Sequence, residues 1–144
     1  MSILTGTRRL EDRTVVRRIG ALTGFEAATL VVASLLHLSG SVQGRSTPFN
    51  PEHAGVAEAI IGTVLACGAV AMLRMSPRRR AVALTTTGFA IVGFLVGLNF
   101  TARGGHLPDV AYHVIILPLL VGSLLVLLRL GPSATNEKVK SPHP

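Results

Sequence analysis

The chain has 144 residues, of which 49% are hydrophobic and only 15% charged, with a mean hydropathy of +0.54. A soluble domain carries about 25% charged residues, and one this short cannot bury so much apolar surface, so a soluble globular domain is excluded. The net charge of +7 comes from basic residues grouped beside the ends of apolar runs, which speaks for membrane lipid and against nucleic acid as a partner.

Residues 1–16, with TRRLEDR, read as a basic cytoplasmic arm. The first apolar run, from about 19 to 38, is full length for a bilayer crossing of about 20 residues. It is too long for the apolar stretch of a cleaved signal, about 7–15 residues, and is expected to stay as helix one. Glu26 and His37 are eleven positions apart, which at roughly 100° per residue puts them about 20° apart on one face. Thr23, Thr29 and Ala33 lie near the same line, so helix one is expected to carry a polar stripe.

After the loop SVQGRSTPF, helix two has a clear start, with Asn50 as N-cap, Pro51 at the first helical position and Glu52 behind it. It is expected from about 54 to 73, with Ala54, Glu58, Gly62, Leu65 and Ala69 on one face. Small-residue faces usually meet other helices. Cys67, the single cysteine, excludes a dithiol mechanism within the chain and is expected to be a small buried packing residue.

Pro77 and the arginines of MSPRRR make a tight turn into helix three, about 81 to 100. Thr85, Gly88, Val92 and Asn99 line up on one side of it. Gly93 and Gly97 form a GxxxG motif on roughly the other, a candidate surface for a second copy or another membrane partner. FTARGG then reverses the chain. HLPDVAYH opens helix four, about 111 to 128, with Asp109 and His113 four apart on one face. Pro118 frees the Val114 carbonyl and is a candidate kink. Residues 131–144 read as a disordered cytoplasmic tail.

Twelve basic residues lie at one end of these helices: Arg8, Arg9, Arg13, Arg17, Arg18, Arg74, Arg78, Arg79, Arg80, Arg129, Lys138 and Lys140. Arg45 and Arg103 lie at the other. The positive-inside rule puts both termini in the cytoplasm. The expected fold is all-α, a four-helix transmembrane bundle spanning 17–130 with N and C termini cytoplasmic, in a bacterial inner membrane.

With this topology His37, His53, Glu58, Asn99, Asp109 and His113 all fall toward the outer side. An ionisable group in hydrocarbon costs on the order of 2.5–3.5 kcal/mol, so Glu26 and Glu58 are expected to face the interior. The leading expectation is a small or lipophilic ligand bound in an outward-opening polar pocket formed by Glu26, His37, Glu58, Asn99 and His113, with Asp109 as a further ligand-binding candidate. The protein can also be a subunit of a larger assembly. A second reading makes it an acid/base enzyme of isomerase, cyclase or hydratase type, with Glu58, Glu26 and His113 catalytic. A third sets zinc, copper(II) or iron at the rim, on His37, Glu58, Asp109 and His113 with His53 and His106 as further candidates, or a haem between His37 and His113. A small transporter with Glu26 as coupling carboxylate is a fourth. Against all of these, His53, His106, Asp109 and Tyr112 also suit the headgroup layer, where Asp109 favours the helix dipole and Tyr112 anchors the interface.

The stretch AGVAEAIIGTVLACGAVAML, in which Glu58 precedes Gly62, is similar to the DoxX-like group of small four-helix bacterial membrane proteins. GFAIVGFLVGL and DVAYHVIILPLLV resemble small four-helix membrane proteins of unassigned function in high-GC bacteria. The likeness covers most of residues 15–130 and implies the fold. It also implies quinone or thiol redox partners, a role for which this chain has no cysteine pair.

Overall fold

The computed structural model describes residues 3–130, with side chains from residue 13 onward. It is all-helical over this range: α1 (Ile3–Leu38), α2 (Pro51–Leu73), α3 (Arg79–Gly104) and α4 (Leu107–Arg129). All four are long and apolar enough to cross a membrane. The expected tail, 131–144, lies outside the described residues. α1 starts at Ile3 and runs through the basic residues into the apolar segment without a break.

Large apolar side chains point outward on every helix, among them Phe25 at 63% exposure, Ile60, Val92, Leu95 and Ile115. In water that surface would be a severe liability; in lipid it is the solvent-facing side. The inward faces are narrow. On α1 they comprise Val16, Ile19, Thr23, Glu26, Ala27, Leu30, Ser34 and His37, a helical period that includes the expected polar stripe.

Helices that lack a hydrophobic drive to associate pack by close approach of small residues, and α1 with α2 is such a pair. A side chain at Gly62 would press on Leu30, and one at Gly55 on Leu38 and His37. Ser34 Oγ donates to the Gly55 carbonyl at 2.7 Å. The helices then follow as a ring in which α2 meets α3, α3 meets α4, and α4 touches α1 only lightly. One core cluster, Leu30, Ile61, Leu65, Ala90, Phe94, Ile116 and Leu120, fills the middle. A second, Val16, Ile19, Met72, Ala83 and Leu127, fills the arginine-rich end.

Local chemistry sets the ends. Asn50 Oδ1 accepts from the His53 amide at 3.1 Å, the N-cap expected for α2. α2 stops in a Schellman turn: the Ser76 amide donates to Ala71 and the Met75 amide to Met72, with Met75 at φ 53°. Arg80 reaches across to donate to the Leu127 and Leu128 carbonyls, satisfying the last turn of α4. Pro118 sits inside α4, which continues helical to Arg129. At the other end the loop after α1 folds back on α3, and the Arg45 amide donates to the Gly104 carbonyl at 2.7 Å.

Two expectations about helix faces are corrected. Cys67 is exposed, because Leu65, Gly68 and Ala69 turn inward and leave it on the outer side. α3 buries Ala83, Thr86, Thr87, Ala90, Phe94 and Thr101, not the line through Thr85, Val92 and Asn99. Phe94 carries the largest inward volume. Two of the threonines satisfy their hydroxyls on the helix itself: Thr86 Oγ1 donates to Val82 at 2.9 Å, and Thr101 to Gly97.

Candidate functional site

At the end opposite the arginines, three helices bring ionisable side chains to one point. His37 is one residue from the end of α1, Glu58 is two turns into α2, and Asp109 is in the first turn of α4. His37 Nδ1–H donates to Glu58 Oε2 at 2.8 Å. On the other side of the ring, His37 Nε2 faces Asp109 Oδ2 at 3.5 Å. All three are buried, at 4%, 5% and 8% exposure, so the group sits in a low-dielectric layer where each unmet polar atom is expensive.

His113 stands one turn below Asp109. Its Nδ1–H donates to the Asp109 carbonyl at 2.9 Å, which leaves Nε2 pointing away from that bond. Phe94 at 5.1 Å and Tyr112 at 5.9 Å between ring centroids hold the imidazole in place. Gly97 makes room for it, since a side chain there would meet Nε2. Gly93 likewise faces Ile61. Both glycines of the GxxxG motif therefore make close approaches within the chain, to α2 and α4.

Two cavities flank the cluster. One, of about 540 Å³, lies between α2 and α3 and is lined by Phe49, Phe94, Phe100, Glu58, Asp109 and His113 among others. Its rim, through Ala57, Ile60, Val92 and Val96, is apolar and exposed, so it opens sideways between two helices. The other, about 730 Å³, lies in the cleft where α1 and α4 barely touch and reaches His37, Asp109, His106 and Tyr112. His37, Glu58 and Asp109 form the partition between them.

Of the expected pocket residues, His37, Glu58, Asp109 and His113 come together here. Asn99 does not: it is exposed and lines neither cavity, because inward rotation of Phe94 and Thr101 turns position 99 away. Glu26 is fully buried, three turns from His37 along α1, and lines neither cavity; both its carboxyl oxygens lack a hydrogen-bond partner. His53 is exposed and caps nothing with its ring, although its amide is bound by Asn50. Tyr112 is more than an interface anchor, since its hydroxyl meets Thr29 Oγ1 at 2.9 Å and joins α4 to α1.

Two residues of the site had not been expected. Phe49 is buried and packs on the His37 ring at 5.9 Å; its signal was an aromatic in an otherwise polar loop. Thr101 lies at the far end of α3 among residues that read as loop.

The chain matches no protein-family model, no curated protein and no solved structure. The likeness to DoxX-like proteins therefore rests on the quoted residues alone.

Proposed function

We propose that this multi-pass membrane protein binds a lipophilic small molecule carrying one polar group, in the cavity between α2 and α3. The observation that carries the reading is the division of that cavity: an exposed apolar rim on Ile60, Val92 and Val96, and a buried inner wall with Glu58, Asp109 and His113. Its volume falls within the range of about 300–1,000 Å³ usual for small-molecule sites. Aromatic side chains from α3 and the loop, Phe89, Phe94, Phe100 and Phe49, suit a flat or ring-bearing body. Entry from lipid needs no water-filled path, and the polar group is recognised only after the apolar part has been buried.

In this reading the arginine-rich end faces the cytoplasm of a bacterium and the histidine end faces outward. The supporting observation is the split of twelve basic residues against two.

The test is mass spectrometry of organic extracts from the purified full chain and from Gly93→Leu and Glu58→Gln. The first substitution fills the cavity against Ile61, and the second removes the carboxylate while keeping its shape. One species near one per chain, lost in Gly93→Leu and reduced in Glu58→Gln, supports the reading. The same bulk lipids from all three proteins would sink it.

A further inference from the structure

Three buried atoms of the cluster have no hydrogen-bond partner: His37 Nε2, Glu58 Oε1 and Asp109 Oδ2. Each belongs to a side chain more than nine-tenths buried. One ligand atom from each residue lies within 4.8 Å of the other two. Native interiors rarely leave such groups unmet, so the facing pair of His37 Nε2 and Asp109 Oδ2 points to a missing common partner.

The spacing says what kind of partner. Nε2 and Oδ2 are 3.5 Å apart, beyond the usual range of a hydrogen bond. Two donors bonded to one tetrahedral ion at about 2.0–2.1 Å, with an angle near 110°, stand about 3.4 Å from each other. The observed pair is already at that separation. Glu58 Oε2 also fixes the ring as metal-bound histidines are usually fixed, by accepting from the nitrogen that does not face the ion.

Charge suits the same partner: ligating imidazole is neutral and ligating carboxylate ionised, and a divalent cation offsets that negative charge in a dry layer.

We propose that His37, through Nε2, and Asp109, through Oδ2, bind one divalent transition-metal ion of the zinc class, with Glu58 holding the His37 ring in place from Nδ1. Imidazole nitrogen with carboxylate oxygen suits Zn²⁺, Fe²⁺ or Mn²⁺ and disfavours soft ions such as Cu⁺. Asp109 lines both cavities, His37 one and Glu58 the other, so the ion has a path to either side and an open position for water or a ligand atom. The site does not depend on the lipophilic-ligand reading and can hold where that fails.

The experiment is Zn²⁺ titration by calorimetry of the untagged full chain in detergent, with Asp109→Asn, Glu58→Gln and, as a control away from the cluster, Asn99→Ala. The expected result is one ion per chain, with affinity at least tenfold weaker in the first two variants and unchanged in the third. Should the cluster variants not fold, X-ray absorption of the zinc-loaded unaltered chain decides, and a shell with one imidazole plus oxygen ligands upholds the site. Failure to bind zinc, binding that survives both cluster variants through exposed histidines such as His53, or a shell with no imidazole would overturn it.

Discussion

His37 Nδ1 donates to Glu58 Oε2 across 2.8 Å, and this one bond joins the last turn of α1 to the second turn of α2 in a layer where both side chains are buried. Removing one member of a buried pair strands the other, typically at about 3–5 kcal/mol. His37→Ala is expected to destabilise the bundle by about 3 kcal/mol, and His37→Ala with Glu58→Ala by clearly less than the sum of the single changes. Unfolding equilibria in mixed detergent, combined as a double-mutant cycle, check this. Additivity would mean that the two residues contribute independently.

Gly104 is where the loop seats. The Arg45 and Ser46 amides both donate to its carbonyl, and a side chain there would collide with the Ser46 carbonyl and crowd Phe49. Gly104→Ala is therefore expected to push residues 45–49 away from α3 and to uncover the His37 ring on which Phe49 packs. Hydrogen exchange should show faster amides in 45–49 with the membrane spans unchanged.

Glu26 is fully buried, and neither carboxyl oxygen has a partner. An unsatisfied buried polar group costs about 1–3 kcal/mol. Glu26→Leu is accordingly expected to raise stability by about 1–2 kcal/mol, read as a higher unfolding midpoint. A loss of stability would show that the carboxyl group is bonded in the folded protein.

The proposed sidedness rests on the arginines. In a Cys67→Ser background, Arg45→Cys is expected to react with a membrane-impermeant maleimide added to intact bacterial cells, and Arg78→Cys only after the cells are opened. The reverse pattern would invert the topology proposed here.

Much of this architecture was legible along the chain. Helix number follows from apolar run length, the start of α2 from Asn50-Pro51, and the buried stripe of α1 from the spacing of Thr23, Glu26 and His37, all of which are local properties. The partnering of His37 with both Glu58 and Asp109 was less so, because it depends on how three helices rotate and slide against one another. Periodicity gives the set of residues on a face without saying which face turns inward. On α3 the polar line through Asn99 was the natural choice, yet the volume of Phe94 and the self-satisfied hydroxyls of Thr86 and Thr101 set the rotation. Gly93 and Gly97 illustrate the same limit: small residues mark close approach, and here they admit Ile61 and His113 of the same chain.

The proposed function stands on one feature, a cavity that opens between α2 and α3 and ends on Glu58, Asp109 and His113, and its central claim is that a molecule is held there. A crystal structure of the full chain grown from a lipid mesophase, with no ligand added, tests it most directly. The expected result is continuous density in the α2–α3 cavity, with its polar end within hydrogen-bonding reach of Glu58, Asp109 or His113. A cavity closed by contact of Val96 with Ile60, with the three polar side chains satisfied by one another, would contradict it.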